Sequence, residues 1–491
     1  MLDLSELEQW REGNRLEVKA AQGGLPGDVW PSVSAFANTN GGLIVLGVKE
    51  NTKTHELFVL GLKDARKMLD DFTNAANSTD KLSYPIFSDE NLSIQTIGGR
   101  EVIAIEVPRV ESKLRPVYEG HDPYKGSYRR KFTGDYHCTR EEVAAMLRDA
   151  SEDPLDMEPV TRSELEDLDK DTIRAYRALY AESHKTGKVR KLPDDEFLRH
   201  IGAAVRDEDG TIRPTRAGLL MFGQEWCIVY DFPNYFLDYR KQTGGNRRWE
   251  DRFTSQDGEW SGNLFDFYER TYDKMKQALE VPFKLEGIYR VDETPAHEAL
   301  REAIVNALAN ADFKSSRGVV FRWTADAIEL VNPGCFRTGI EQAYAGGISD
   351  ARNKTVLKLF SLIKVGERAG SGVPNMVDQW ETCGYGRPVL SETFDPEVST
   401  TILPLSKFTT DEPAGKSAVN VGSKTKPTVA ERNDAIVAYL ATHGESRSAD
   451  IAESIGLGAS RTNDLLRGLA EGGIVEAVGG YRNRRYKLAD R

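Results

Sequence analysis

The stretch that decides the fold of the second half of this chain is EALREAIVNALANADF, residues 298–313. Its polar residues Glu298, Glu302, Asn306 and Asn310 recur every four positions, so they form one row along a helix that otherwise carries apolar side chains. Small alanines flank this polar row, as a helix that lines a ligand pocket requires. The ordinary interpretation of such a row is a solvent-facing stripe, and the residues that follow decide between the two.

Two glycine-containing turns follow the polar row. The segment VNPG, residues 331–334, ends a predicted strand in a turn where the backbone can approach a ligand closely. The segment GSG, residues 370–372, directly precedes a predicted helix, so its N–H groups and the helix dipole favour an anion. The order of the row and the two turns favours a ligand pocket over a solvent-facing stripe.

The segments EAIVNALANADF, VNPG, ARNKTVLKLF and GERAGSGV resemble, in this order, a divergent branch of the GHKL ATPases. The resemblance implies an α/β sandwich that binds ATP with Mg²⁺. It implies that Asn306 holds the Mg²⁺ ion and that Glu302, one turn earlier, is the base that activates water. An amide oxygen suits Mg²⁺, which takes few protein ligands. The other nucleotide-binding residues that the resemblance implies are Asn310, Asn332, Gly334, Arg352, Gly370, Ser371 and Gly372.

Two departures from the GHKL pattern concern adenine and phosphate recognition. Residues 332–334 are Asn-Pro-Gly, where the family has an aspartate–glycine pair that reads the adenine amino group. Residues 310 and 311 are Asn-Ala, where relatives often have His and Arg, so Arg352 or Arg368 is the expected substitute in contacting phosphate. The sequence predicts nucleotide binding and leaves hydrolysis open.

The first 150 residues contain three segments that resemble the Schlafen-like AlbA domain, namely GNRLEVKAA, AFANTNGG and YRRKFTGDYHCTREEVAAML. Some relatives are nucleases with a carboxylate trio and a metal, which implies Glu12, Glu17 and Glu50 for the trio and Lys19 for the scissile phosphate. The favoured alternative is that Glu17 and Lys19, on one face of a strand, form an ordinary ion pair.

Two other features of this region concern nucleic acid and helix capping. Arg129, Arg130 and Lys131 are candidate phosphate contacts, although a basic triplet is more often a solvated surface. Thr139, followed three residues later by Glu142, predicts the start of a helix. The region is therefore expected to be a compact α/β unit that binds nucleic acid or mediates assembly.

The last 63 residues predict three short helices and a hairpin, the outline of a winged helix-turn-helix. In ASRTNDLLRGLAEGG, residues 459–473, the leucines and Thr462 share one face, and the polar residues point away from it. Arg and Asn pair bidentately with guanine and adenine edges, and the hairpin gathers positive charge. The expected contacts to double-stranded DNA are Ser460, Arg461, Asn463, Arg467, Arg482, Arg484, Arg485 and Lys487.

Length and charge limit the class of protein. At about 150 residues per domain, 491 residues predict three domains. No run approaches the roughly 18 apolar residues of a membrane span, and the acidic start is unlike a signal peptide, so a cytoplasmic protein without membrane contact is expected. The net charge of −12 requires any DNA contact to come from a local basic patch. The four cysteines are too far apart for a zinc site or a disulfide framework.

The expected fold is a multidomain α/β (α+β) chain. SEDPLDMEP, residues 151–159, and the Gly-, Ser- and Lys-rich segment up to residue 428 indicate boundaries. The expected parts are a Schlafen-like AlbA domain (1–150), a connecting subdomain (160–270), a GHKL-like ATP-binding domain (271–406), a flexible linker (407–428) and a winged helix-turn-helix (429–491).

The function that this organisation predicts is an ATP-sensing bacterial transcriptional regulator, in which nucleotide occupancy biases DNA binding by the C-terminal winged helix. One alternative is a metal-dependent nuclease regulated by ATP, acting in defence against foreign nucleic acid. Another treats the first domains as an assembly scaffold. A homo-oligomer, a dimer or larger, is expected as well.

Overall fold

The computed structural model describes residues 15–151, 153–244, 249–281, 285–286, 289–290, 293–366 and 371–407, together with short stretches between 436 and 488. The chain divides into two compact units, Met1–Thr409 and Thr410–Arg491. The described cysteines are free thiols. Within the part of the chain that the structure describes, none of the helices has the length and apolar character of a membrane span.

The first unit contains the following helices. They are α1 (Val29–Ala37), α2 (Ala65–Ala76), α3 (Pro123–Gly126), α4 (Arg140–Ala150), α5 (Lys170–Ser183), α6 (Asp194–Ile201), α7 (Arg216–Phe222), α8 (Glu225–Asp231), α9 (Leu264–Met275), α10 (Pro295–Asn310), α11 (Ile340–Ala345), α12 (Lys354–Leu362) and α13 (Gly372–Thr382).

The described strands lie in both units. Those of the first unit are β1 (Leu16–Lys19), β2 (Gly42–Leu46), β3 (Val48–Glu50), β4 (Leu57–Val59), β5 (Leu92–Ile97), β6 (Arg100–Val107), β7 (Tyr128–Lys131), β8 (Gly134–His137), β9 (Ala204–Arg206), β10 (Ile212–Pro214), β11 (Leu237–Gln242), β12 (Asp251–Thr254), β13 (Leu285–Glu286), β14 (Tyr289–Arg290), β15 (Val319–Thr324), β16 (Ala327–Pro333), β17 (Val389–Phe394) and β18 (Glu397–Pro404). Those of the second unit are β19 (Ser446–Arg447), β20 (Val475–Val478) and β21 (Arg485–Leu488).

The amino-terminal sheet has the strand order β1-β2-β6-β5. β1 runs parallel to β2, whereas β2, β6 and β5 pair antiparallel. Because side chains alternate along a strand, Ile44 and Leu46 pack in one core with α1 and α2, and Val45 packs in a second core on the opposite face. β1 therefore lies at the edge of the sheet, with Glu17 and Lys19 on one side of the strand.

A second, six-stranded sheet has the order β12-β11-β15-β16-β18-β17. Its first two strands precede residue 270 and its other strands follow it, so one sheet crosses the boundary expected between residues 270 and 271. One hydrophobic core likewise extends from Val160 to Leu403. The reason is that β11 pairs in parallel with β15 and buries Leu237 and Tyr239 completely in this shared core.

The second unit contains a three-stranded sheet of order β19-β21-β20. β20 and β21 pair antiparallel, with Val475 opposite Leu488. Thr462, Leu466 and Leu469 are buried, and Arg467 is exposed, which agrees with the apolar face predicted for this segment. Residues 479–484, which contain the predicted hairpin turn, lie outside the described residues.

Candidate functional site

The polar row lies on α10, a helix that is buried on most sides. Thr294 and His297 cap its start reciprocally, and Pro295 occupies the first helical position, where a missing N–H costs nothing. The Asn306 side-chain amide donates to Glu302 Oε1 at 3.0 Å. Asn310 Nδ2 donates to the Asn306 carbonyl at 2.9 Å. Glu302 is 8 % exposed, which excludes a solvent-facing stripe at this position.

Helix α13 begins against this row. A Cβ atom added to Gly372, its first residue, would lie 2.0 Å from Glu302 Oε1 and 3.3 Å from Asn306 Nδ2. Only a glycine allows the backbone and the Glu302 carboxylate to approach this closely. Ser371 is the N-cap residue, whereas Gly370 lies outside the described residues, as does Arg368.

A cavity separates α10 from the segment 336–351. Glu302, Asn306, Asn310 and Gly372 all line it, so the structure brings these predicted residues together. Its volume is about 90 Å³, which is well below the roughly 300–1,000 Å³ of typical ligand pockets.

The turn at residues 332–334 contributes one residue to the cavity. Asn332 lines it, is 4 % exposed and donates from Nδ2 to Ser399 Oγ at 3.0 Å. Gly334 has a φ of +89°, and a Cβ there would lie 2.9 Å from Arg352 Nη1. Gly334 is therefore required by the turn and by the close approach of this arginine.

Arg352 does not line this cavity, in contrast to its expected role as a phosphate contact. Its guanidinium donates to the Asp149 carboxylate at 2.7 and 2.8 Å, to the Cys335 carbonyl at 3.0 Å and to the Asn310 carbonyl. Through these contacts the guanidinium holds α4 against the second half of the first unit. No local sequence pattern indicates this role, because Asp149 lies 203 residues away.

Sequence reasoning missed an ion pair that lines the cavity, formed by Arg337 and Asp350. Arg337 lies on the segment opposite α10, and its Nε donates to Asp350 Oδ2 at 3.0 Å. Both residues line the cavity, and the Arg337 side chain is 8 % exposed. No local motif distinguishes this arginine from an ordinary surface residue.

The predicted nuclease residues form an ion-pair network. Lys19 Nζ lies 3.1 Å from Glu17 Oε1 and 3.0 Å from Asp28 Oδ2, and Arg130 Nη2 lies 2.9 Å from Glu17 Oε2. Burial lowers the pKa of Lys19, but the two carboxylates outweigh burial and raise it. Glu17 thus already has two cationic partners, as the ion-pair interpretation expects.

The other members of the expected carboxylate trio do not join Glu17 in a described metal site. Glu50 Oε1 lies 2.9 Å from His55 Nδ1, and Glu12 lies outside the described residues. Among the residues that the structure describes, no three His, Cys, Asp or Glu side chains are grouped to hold a metal ion.

The basic triplet at residues 129–131 is not a solvated surface. The side chains of Arg129 and Arg130 are 2 % and 1 % exposed. Arg129 pairs with Glu397, and Arg130 pairs with Asp135 at 2.9 Å in addition to Glu17. Both arginines are therefore internal, and neither is placed to contact the phosphates of a nucleic acid.

The predicted DNA contacts lie partly outside the described residues. Arg467 and Arg485 are exposed, and Lys487 is half-buried. Arg485 Nε lies 3.9 Å from Glu445 Oε1, and Lys487 Nζ lies 3.2 Å from Glu476 Oε2, so acidic neighbours offset part of this charge. The positions outside the described residues are Ser460, Arg461, Asn463, Arg482 and Arg484.

Three parts of the chain match known protein families. Residues 12–139 match the family described as "Schlafen, AlbA_2", residues 144–238 match a domain of unknown function (DUF8451), and residues 317–400 match the family described as "Putative ATP-dependent DNA helicase recG C-terminal". A Schlafen/AlbA_2 domain and a RecG C-terminal-like domain are therefore found in this chain. The polar row on α10 directly precedes the last of these matches.

Two solved structures resemble the chain at low structural similarity. The DIP2311 protein from Corynebacterium diphtheriae is 18% identical, covers 97% of this chain and 94% of its own, and has a TM-score of 0.39. The N-terminal domain of a "Putative ATP-dependent DNA Helicase RecG-related Protein" from Nitrosomonas europaea is 26% identical, covers 28% of this chain and 95% of its own, and has a TM-score of 0.22. No curated protein matches the chain.

Proposed function

We propose that this protein is a nucleotide-dependent, DNA-binding transcriptional regulator. ATP with Mg²⁺ binds in the cavity between α10 and α13, and the C-terminal unit binds duplex DNA as a winged helix. The observation that carries the nucleotide part is the Glu302–Asn306 pair, which lies against the first residue of α13 and lines a cavity together with it. The Schlafen/AlbA_2 and RecG C-terminal-like matches support an ATP-linked function related to nucleic acid.

The chemistry of the lining residues fits a magnesium nucleotide. Asn306 donates to Glu302 through Nδ2, so its amide oxygen is the atom that would hold Mg²⁺, whose remaining ligands are phosphates and water. Bound Mg²⁺ would neutralise phosphate charge. Glu302 is placed one turn away to accept a proton from water. The N–H groups at the start of α13 favour phosphate oxygens.

The cavity volume sets a condition on this proposal. A nucleotide does not fit in about 90 Å³, so binding requires the segment 336–351 and α10 to move apart. Regulation further requires that ATP bind the DNA-bound and DNA-free forms with different affinity, because a ligand of equal affinity shifts no equilibrium.

Calorimetry of the intact chain tests the nucleotide site. We expect Mg²⁺-dependent ATP binding that Asn306→Ala abolishes, whereas Glu302→Gln keeps binding and removes any turnover. Glu298→Gln is the matched control, because Glu298 lies one turn earlier, is exposed and bonds Gln379 outside the cavity. A wild type that binds no nucleotide at millimolar concentration would make the row purely structural.

Titration of duplex DNA tests the C-terminal unit. Arg461→Ala should cost about 1–3 kcal/mol on the preferred sequence and relax specificity, because base-edge contacts carry sequence information. Replacing Arg484 and Arg485 should instead weaken binding to all sequences and lower the salt dependence by about one unit of slope per lost phosphate contact. If the intact chain retains no duplex at low salt, the regulator proposal fails.

A further inference from the structure

A second cavity lies where the end of α4, the residues after it and the start of α12 meet, apart from the cavity between α10 and α13. Its volume is about 210 Å³. Because an apolar protein cavity of about 150 Å³ holds a benzene molecule, this space accommodates a ring-sized ligand with a small polar group. This second cavity is called the junction cavity below.

One wall of the junction cavity is apolar and aromatic. Phe232 and Phe313 line it and are 4 % and 6 % exposed. Their ring centroids are 6.3 Å apart in an edge-to-face arrangement. Leu155 and Ala311 extend the same wall. A purely inorganic anion would leave this apolar surface unused, whereas an apolar ligand body would bury it.

The cationic group next to this wall is Lys314. Its Nζ lies 5.6 Å from the centroid of the Phe232 ring. Its nearest described carboxylate is Asp231 Oδ2, at the 4.0 Å limit of an ion pair, and that oxygen already accepts from Arg216 Nε at 2.8 Å. Burial lowers the pKa of Lys314, and the neighbouring Arg216 lowers it further. The ammonium group therefore lacks a close anion of its own.

The other charged residues of the wall differ in how they are paired. Lys354, the first residue of α12, also lines the cavity and has no ion pair in the described part of the chain. Three of the four described aspartates in the wall are held by other groups, and the fourth, Asp153, is exposed. Asp149 is held by Arg352, Asp312 by Arg148 at 3.0 Å, and Asp156 by the N–H groups of Thr355 and Val356 at 2.6 and 3.0 Å.

We propose that the junction cavity binds a small organic carboxylate with an apolar body. The body contacts Phe232 and Phe313, and the carboxylate receives charge-assisted hydrogen bonds from Lys314 and Lys354. This proposal is independent of the proposed nucleotide site, because its ligand contacts no residue of α10 and none at the start of α13. Arg337 lines both cavities, but it is paired with Asp350 and neither proposed ligand contact uses it.

The test is ligand-observed NMR and calorimetry on the intact chain with benzoate, phenylacetate and hexanoate. At least one of these carboxylates should bind saturably, and benzamide and inorganic phosphate should bind about tenfold more weakly or not at all, because each lacks one of the two required features. Absence of binding by all three carboxylates at millimolar concentration would overturn the proposal, as would equal binding of benzamide.

Two lysine variants locate the ligand. Lys314→Met and Lys354→Met each keep side-chain length and remove the charge, so each should weaken carboxylate binding about tenfold. Lys358→Met, one turn further along α12 and outside the cavity, is the matched control and should bind like the wild type. Circular dichroism and thermal melting establish that each variant is folded. If one lysine variant does not fold, the binding measured with the other tests the proposed site. Unchanged binding in a folded Lys314→Met or Lys354→Met protein would place the ligand elsewhere and refute the proposed site.

Discussion

Two partly buried glutamates, Glu17 on β1 and Glu302 on α10, differ in what surrounds them. Glu17 contacts the cations of Lys19 and Arg130 at 3.1 and 2.9 Å. Glu302 accepts from the neutral Asn306 amide at 3.0 Å, and both of these residues line a cavity. Both glutamates were candidate catalytic residues in the sequence. The neighbours of a carboxylate and the space in front of it therefore distinguish the two sites: Glu17 is held in an ion-pair network, and Glu302 borders a cavity.

The physical reason is the cost of burying charge. A buried carboxylate is stable only when cations or hydrogen-bond donors compensate for lost water. At Glu17 two cations supply that compensation and fix the side chain to the sheet. At Glu302 an amide supplies a hydrogen bond, and the same amide borders the cavity. Mutations in the Glu17 network should therefore lower stability strongly, whereas mutations around Glu302 should mainly change ligand binding.

The largest expected effect is that of Arg130→Met on stability. Removing this guanidinium leaves Glu17 with Lys19 as its one remaining cation and removes the cation that pairs with Asp135, which should lower the free energy of unfolding by about 3–5 kcal/mol. Urea denaturation measures the change. Arg66→Met is the control, because the Arg66–Asp70 pair is exposed and 3.8 Å long and should contribute about 0–1 kcal/mol. Equal losses in both variants would contradict a structural role for the β1 network.

A smaller effect should appear in the pH dependence of stability through the Asp149–Arg352 pair, which joins the two halves of the first unit. Burial by itself raises the pKa of the Asp149 carboxyl, but the Arg352 guanidinium outweighs burial and holds the pKa below its ordinary 3.8. Because the folded-state pKa is depressed, this stabilisation is complete above the unfolded-state pKa and is lost as pH falls through the folded-state value.

The Arg352→Met variant tests the direction of this pH dependence of stability. Without this guanidinium, burial is opposed only by the charges of Arg337 and Arg115, so the pKa of Asp149 should rise and less stability should be lost at this residue on acidification. Urea denaturation at several pH values below neutrality measures the difference between variant and wild type. Arg174→Met removes the exposed pair with Asp171 and should keep the wild-type profile. Parallel profiles for Arg352→Met and the wild type would contradict the assigned role.

Local parts of the fold were predictable from the sequence. The predicted start of α4 is confirmed, since the Thr139 hydroxyl accepts from the Glu142 N–H at 3.2 Å and the Glu142 carboxylate accepts from the Thr139 N–H at 2.6 Å. The four-residue spacing on α10 likewise brought Glu302 and Asn306 to one cavity. Both features depend on residues within a few positions of each other, where helix geometry fixes the distances.

Long-range ion pairs were not predictable. Arg129 and Arg352 resemble surface or phosphate-binding arginines in the sequence, but their carboxylate partners Glu397 and Asp149 lie 268 and 203 residues away. Such pairs depend on how the sheets and helices pack, which no local pattern encodes. In the same way, the pairing of β11 with β15 joins segments from both sides of residue 270 in one sheet, which no local pattern indicates.

The smallest expected effect on stability, and the sharpest test of the cavity, is that of Gly372→Ala. The new Cβ would lie 2.0 Å from Glu302 Oε1, and because that oxygen ends a flexible side chain, the carboxylate should turn away while α13 stays in place. Stability should change by at most about 1 kcal/mol, since alanine also favours the helix. Nucleotide binding should weaken about tenfold, because Asn306 loses the partner that orients its amide. Gly339→Ala is the control, since a Cβ there meets nothing within 4 Å.

Calorimetry measures the ATP affinity of Gly372→Ala, and thermal melting measures its stability. Unchanged ATP affinity would show that nucleotide binding does not depend on the Glu302–Asn306 geometry. A loss of stability as large as that of Arg130→Met would instead show that the polar row on α10 is structural, like the ion-pair network on β1.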